Sequence, residues 1–243
     1  MNTTYNPVVA HRGAWKKNHL PENSIASLQQ AVQSGCTGSE FDVWMTADDS
    51  LVIHHDPDFN HLRIEQVSFA ALKTLPLSNG EPLPTLHQYL QAGLSGNPAI
   101  RLVLEIKPSL VSKERGQEVA RKVVDMVTAF HAEKRIIYIS FDYDILKKII
   151  TLDPTAHTQY LNGDKSPDQL KTDGITGADY HLSVFRQKPE WIAMAKKYGI
   201  ILNAWTVNNA DDMRWLLDNN FNFITTNEPE LLFEILKQRK EIK

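Results

Sequence analysis

His11, Glu40, Asp42, His55 and Glu105 are the residues whose types and spacing suit chemistry. Glu40 and Asp42 stand two apart in Glu40-Phe41-Asp42-Val43. On a strand, residues two apart share a face, so both carboxylates point one way and Phe41 the other. The same alternation pairs Glu105 with Lys107 and turns Ile106 away. Carboxylates gathered at one place repel one another unless a counter-charge lies between them. A divalent cation supplies it, and hard cations prefer oxygen ligands. Zinc is disfavoured, because the candidate ligands are oxygens rather than thiolates or a compact histidine set. His11 and His55 bring two groups with an unperturbed pKa of ~6.5, one to act as base and the other as acid. Arg12 and Lys107 add fixed positive charge for an anionic oxygen. This set suits cleavage of a phosphate ester. It suits peptide hydrolysis less, since no serine or cysteine nucleophile is placed with a base. Taken singly, a Glu-x-Asp is an ordinary solvated strand face, a strand-terminal histidine is ordinarily structural, and Glu105 with Lys107 makes a local ion pair. Their weight comes from coincidence at strand ends.

The elements that must position them alternate along the chain. The runs Val8–Ala10, Glu40–Met45, Leu102–Ile106, Ile136–Ile139, His157–Leu161, Tyr180–Val184, Ile201–Val207 and Phe223–Thr226 have strand character. Helical spacing fills Ser24–Ser34, Glu114–Ala132, Tyr143–Leu152, Pro189–Tyr198, Ala210–Asn219 and Pro229–Lys240. Eight strands alternating with helices predict an α/β fold, a TIM (β/α)8 barrel whose catalytic groups sit at the C-terminal strand ends. The total of 243 residues matches one such barrel of ~250, taken as a single domain over 1–243. The seventh strand carries Asn203 and Trp205, and Trp205 is a candidate substrate-binding side chain. Leu51–His55 is a further strand, separated from the second by only Thr46–Ser50. So short a turn makes an antiparallel hairpin, not a parallel crossover. Residues of about 46–91 are therefore expected as an insertion after strand two, over the barrel mouth.

Composition removes other classes. Hydrophobic residues are 42% and charged ones 23%, with a net charge of −3 and no basic run beyond pairs such as Lys16-Lys17. That gives no cationic face for nucleic acid. The lone Cys36 excludes an intrachain disulfide and reads as a small buried residue. No stretch approaches the ~20 apolar residues of a membrane helix. The polar start Met1–Pro7 predicts no signal peptide. The compartment stays open between cytoplasm and, if a leader has been removed, periplasm or exterior. Oligomeric state is likewise open.

The segments HRG at His11, PENS at Pro21, EFDV at Glu40, T-x-D at Thr46, HD at His55, EIK at Glu105, SF at Ser140, WTVN at Trp205 and TNEP at Thr226 together resemble the glycerophosphodiester phosphodiesterase family. The likeness runs in order along almost the whole chain. It implies a TIM barrel with a small insertion after strand two. It implies one divalent metal, Ca2+ or Mg2+, on Glu40, Asp42 and Glu105, with His11 and His55 as acid–base pair. It also implies that Arg12, Glu22, Asn23 and Lys107 organise the phosphate site. The implied reaction hydrolyses a small-molecule glycerophosphodiester to sn-glycerol 3-phosphate and an alcohol. The family histidine is the one directly before aspartate, so the role falls on His55, and neighbouring His54 is expected to pack. The run Pro57–Leu62 departs from the family's threonine- and arginine-containing stretch at this point. Two other readings keep the barrel: cleavage of a lysophospholipid or phosphoinositide, and a non-catalytic phosphodiester-binding domain.

Overall fold

The computed structural model of the protein describes residues 6–96 and 99–241, so most of the polar start Met1–Pro7 lies outside it. Strand β1 (Val8–Ala10) leads to helix α1 (Ile25–Gln33) and strand β2 (Gly38–Met45). An excursion follows: β3 (Leu51–Ile53), β4 (Asp58–Phe59), β5 (Leu62–Arg63) and the one-turn helix α2 (Phe69–Leu72). Then come α3 (Leu86–Gly96), β6 (Arg101–Ile106), α4 (Lys113–Ala129), β7 (Ile136–Ser140), α5 (Tyr143–Leu152) and β8 (His157–Tyr160). The chain ends with α6 (Pro167–Thr172), β9 (Gly177–His181), α7 (Leu182–Gln187), α8 (Glu190–Tyr198), β10 (Ile201–Trp205), α9 (Ala210–Asp218), β11 (Phe223–Thr226) and α10 (Pro229–Glu241). Strands β1, β2 and β6 to β11 pair in parallel, and β1 bonds to both β2 and β11, which closes an eight-stranded barrel. This is the expected TIM barrel.

Strand alternation divides the apolar side chains between two layers. Val8, Phe41, Leu102, Leu104, Ile106 and Tyr138 face outward and pack under the helices. Val9, Val103, Ile137, Ile139, Leu161 and Phe223 fill the interior. Glu105 follows Val103 on the inward face by period two, so a one-residue slip of β6 would put its carboxylate among the helices. A third, smaller core of Trp44, Val52, Phe59, Ile64, Leu72 and Leu83 holds the excursion together.

Strand β3 pairs antiparallel with β2, Val43 opposite Ile53 and Met45 opposite Leu51, as the short turn requires. It stops at Ile53 rather than running to His55. Helix α3 starts inside the stretch assigned to the insertion; its Tyr89 ring stacks on Phe41 at 4.3 Å, where the barrel's second helix belongs. The sixth parallel strand is Gly177–His181, not Tyr180–Val184. Leu182 and Val184 read as strand by composition, yet they open α7, whose first turn is capped by the His181 ring accepting from the Ser183 N–H. Gly177 and Asp179 read as breakers, because strand propensity assumes a half-exposed face rather than a barrel interior. The seventh strand ends at Trp205, two residues before the expected Val207. Among the described residues, no helix is long and apolar enough to cross a membrane.

The turn after β1 fixes the path of His11 and Arg12. Gly13 has φ +82°, and a Cβ there would lie 2.6 Å from the Ser27 carbonyl carbon. Neither the conformation nor the approach admits a side chain. A Gly13→Ala variant is expected to lose about 2–4 kcal/mol, strain and overpacking together. Urea unfolding with an unchanged m-value checks it.

Candidate active site at the barrel mouth

Glu40 and Asp42 on β2 and Glu105 on β6 converge at the mouth because Asp42 and Glu105 are register partners on adjacent strands. All three are buried, and their carboxylate oxygens lie within 4.8 Å of one another. Lys107, just past β6, places its Nζ 2.7 Å from Asp42 Oδ1 and 2.8 Å from Glu105 Oε1. Burial disfavours the Lys107 ammonium, but Asp42 and Glu105 outweigh it and hold its pKa above the ordinary lysine range. Burial also opposes charge on Asp42, and Lys107 overcomes that, so Asp42 is held below the usual carboxylate range. Glu40 has less compensation: burial first, then Asp42 and Glu105, push it well up. Its Oε2 accepts the Arg12 backbone N–H at 2.9 Å, while its buried Oε1 has no hydrogen-bond partner. An orphaned carboxylate oxygen between two further carboxylates fits a cation site built from hard oxygen donors.

The histidines approach from opposite origins. His11 follows β1, and its Nδ1 lies 2.8 Å from Asn227 Oδ1. An amide oxygen only accepts, so Nδ1 carries the proton and the Nε2 lone pair is left facing Glu40, 3.8 Å away. Burial first, then Arg12, lower the His11 pKa to about 4, so the ring is neutral near pH 7. His55 arrives from the excursion. Its backbone carbonyl accepts from the Trp44 indole at 3.1 Å, and its Nδ1 sits 2.7 Å from Asp56 Oδ1. A carboxylate beside Nδ1 favours the tautomer with its proton there. His54 turns away and packs edge-on against Phe59 at 5.1 Å.

His11, Arg12, Glu40, His55, Glu105, Lys107 and Trp205 line one cavity of about 120 Å3, which Ile139, Phe141, Leu161, Asp179, Thr206 and Thr225 complete. The remaining sequence candidates stand behind that wall. Glu22 accepts from the Arg12 guanidinium at 2.6 Å. Asn23 is buried; its amide N–H donates to Asp42 Oδ2 at 2.8 Å, and its amide oxygen accepts the Asp42 N–H at 3.2 Å. Both organise side chains rather than face the cavity. Arg12 and Asn23 also carry positive φ values, 55° and 57°, so the PENS turn and the HRG turn are locally strained where they meet. Asn23 N–H donates to Arg12 O at 3.0 Å across that meeting.

Two contributors escaped sequence reasoning. Asn227 orients His11, and only the in-order TNEP segment hinted at it. Asp179 was lost when its strand was placed three residues late. It is 1% exposed. Burial, then the charge on Glu105, raise its pKa well above the usual carboxylate range.

Comparison with known proteins converges on one family. The model of the glycerophosphoryl diester phosphodiesterase family matches residues 11–231. A glycerophosphodiester phosphodiesterase of Caldanaerobacter subterraneus subsp. tengcongensis is 28% identical over 246 residues, covering 95% of this chain and 98% of that protein. The crystal structure of a glycerophosphodiester phosphodiesterase from Parabacteroides distasonis superposes with a TM-score of 0.94 at 43% identity, covering 97% of this chain and 98% of that one. An Oleispira antarctica phosphodiesterase, solved with the product sn-glycerol-3-phosphate, shares the fold with a TM-score of 0.81 at 22% identity, covering 96% and 97% of the two chains.

The carboxylate cluster makes a pH-dependent prediction. Burial first, then Asp42, raise the Glu105 pKa from 4.5 to about 7. A raised pKa means the fold favours the protonated form, so its stabilisation is full below about 4.5 and is lost as pH rises through about 7. A divalent cation bound at the cluster would take the place of that proton. The calcium-induced rise in Tm should therefore grow from pH 5 to pH 8, reaching roughly 5–10 °C at a hundredfold excess over Kd. Thermal unfolding with calcium titrated at each pH measures it; no shift at pH 8 would remove the cation site.

Proposed function

The chain belongs to the glycerophosphoryl diester phosphodiesterase family, and we propose that it hydrolyses glycerophosphodiesters to sn-glycerol 3-phosphate and an alcohol, with His11 and His55 as the proton-transfer pair. As a member of that family it is a phosphoric diester hydrolase. The observation that carries the finer reading is that His11 and His55 line one cavity together with Glu40 and Glu105 of the carboxylate cluster. The product named for the Oleispira antarctica enzyme has the compact, anionic form this cavity suits. At about 120 Å3 the cavity is well below the ~300–1,000 Å3 of pockets for drug-sized ligands, which favours a glycerophosphoryl end with the alcohol projecting outward.

Glu40, Asp42 and Glu105 would hold one divalent cation, Ca2+ or Mg2+, whose bound form polarises a nonbridging phosphoryl oxygen. Arg12 and Lys107 meet the remaining anionic charge. Glu22 and Asn23 keep Arg12 and Asp42 in place for that task. Neutral His11 accepts the proton of the attacking hydroxyl, from water or from the glycerol hydroxyl beside the phosphate. The new oxygen–phosphorus bond forms as the bond to the alcohol oxygen breaks, and His55 delivers a proton to that oxygen. Attack by the glycerol hydroxyl gives a cyclic phosphate, which water then opens. Trp205, with Phe141 edge-on at 5.5 Å, forms part of the cavity wall.

One observation favours an apolar alcohol as second substrate class. Leu110 and Val111, in the loop after Lys107, are 59% and 62% exposed, and Phe141 is also exposed. A lysophospholipid would lay its chain along such a rim.

A coupled assay for glycerol 3-phosphate release from glycerophosphocholine tests the reading. Chelation is expected to abolish turnover, and calcium or magnesium to restore it. His11→Ala and His55→Ala should each lower kcat by roughly 10²–10⁴-fold, the range of a lost acid or base. His54→Ala should keep kcat and lose stability instead. Full activity in both of the first two variants would sink the assignment, and faster turnover of a lysophospholipid would promote the second class.

A further inference from the structure

Asp179 stands on the inward face of β9, at the wall of the catalytic cavity and outside the carboxylate cluster. Its surroundings hold it in one orientation. Asn203, its register partner on β10, hydrogen-bonds its side chain. The Asn203 amide oxygen in turn accepts from the Thr225 hydroxyl at 3.2 Å, which fixes the amide with its N–H group toward Asp179. The Trp205 indole donates to the Asp179 backbone carbonyl at 2.8 Å, so the strand cannot rotate away. One carboxyl oxygen is thereby occupied. The other, Oδ1, is buried and has no hydrogen-bond partner.

A buried polar atom without a partner is unusual, and here it is oriented by a chain of three side chains beside an open cavity. The same cavity is lined by the apolar side chains of Ile139, Leu161 and Phe141. The cation ligands lie elsewhere in the same cavity. What Oδ1 lacks is a hydroxyl or amine from the ligand itself.

We propose that Asp179 is a specificity-determining residue that hydrogen-bonds a hydroxyl of the substrate's glycerol moiety. The proposal rests on the functional reading above and names the part of the substrate that the phosphate-binding groups leave unread. Asp179 is 1% exposed at a cavity too small for a whole diester, so it meets the compact polyol end rather than the alcohol that projects outward. Its unpartnered Oδ1 accepts from such a hydroxyl. An oriented group of this kind discriminates sharply, because a ligand without the hydroxyl leaves the oxygen unpaired.

The test compares sn-glycerol 3-phosphate with 1-propyl phosphate, which has the same carbon chain and phosphate but neither hydroxyl. Both are titrated calorimetrically into the calcium-loaded protein. The native protein is expected to bind glycerol 3-phosphate at least about tenfold more tightly, one hydrogen bond's worth. Asp179→Leu should lose about tenfold for glycerol 3-phosphate and leave propyl phosphate unchanged. Asp179→Asn, which keeps shape and hydrogen bonding, should retain most of the preference. Equal weakening of both ligands in Asp179→Leu, or no change in either, overturns the proposal. Equal affinity of the native protein for the two ligands overturns it without any variant. Failure of the functional reading looks different: the native protein then releases no glycerol 3-phosphate from glycerophosphocholine.

Discussion

The mutual repulsion of Glu40, Asp42 and Glu105 is the interaction around which the mouth of this barrel is built. At about 4 Å, two like charges repel by about 4 kcal/mol when the effective dielectric is near 20. Three such pairs approach the whole ~5–15 kcal/mol by which a domain is stable. The fold therefore cannot hold all three ionised without compensation. It uses two kinds. Lys107 sits between Asp42 and Glu105, a cation supplied by the same strand end as one of its partners. The rest is met by protonation, and Glu40 and Glu105 have raised pKa values accordingly. Neither kind reaches Glu40 Oε1, which stays without a partner. A divalent cation held there would satisfy that atom and offset the charge, and would make cation binding and ionisation of the cluster one event.

Holding such a cluster requires supports that contribute little to chemistry directly. Asn23 grips Asp42 through both side chain and backbone. Glu22 steadies Arg12. The excursion is tied to the barrel in the same way. Glu65 accepts from the Ser109 hydroxyl at 2.6 Å and the Leu110 N–H at 2.8 Å, which anchors the loop carrying Lys107's neighbours. Arg115 of α4 reaches back to Asp49 Oδ1 at 2.6 Å and the Thr46 carbonyl at 2.5 Å. With its own small core, the excursion presents His55 from a fixed frame rather than from a loose lid. Positioning of this kind matters because a displacement of about 1 Å can cost 10²-fold in rate.

The cluster and both histidines were legible in the sequence because their signals are local. Period two set the faces of Glu40, Asp42 and Glu105, and a five-residue turn set the hairpin that brings His55. The barrel was legible from the alternation of elements. Failures occurred where the barrel interior inverts an ordinary preference. Asp179 and Gly177 look like loop residues only if a strand is assumed to have a wet face. In a small barrel, both faces of a strand are enclosed, and an inward polar residue is stable when a neighbour such as Asn203 pairs with it. Helix α3 was absorbed into the insertion because Pro82, Pro84 and Gly80 mark an irregular return just before it, and its own apolar face is short. Asn227 carried no periodic signal, since its role depends on a ring 216 residues earlier in the chain.

The two histidines differ in surroundings more than in type, and that difference assigns their work. Burial and the neighbouring Arg12 oppose a second proton on His11, and they outweigh the Asn227 amide oxygen, which favours it. His11 is fitted to receive a proton only when negative charge is delivered to it, as when a hydroxyl attacks phosphorus. His55 is more open to solvent, and its Nδ1 lies beside the Asp56 carboxylate. In the proposed mechanism that openness gives the ring access to water between turnovers. Two identical side chains thus meet one cavity in different surroundings, one beside Asn227 and the other beside Asp56. The asymmetry comes from where each sits in the fold: His11 on a stave beneath the buried cluster, His55 on the excursion at its rim.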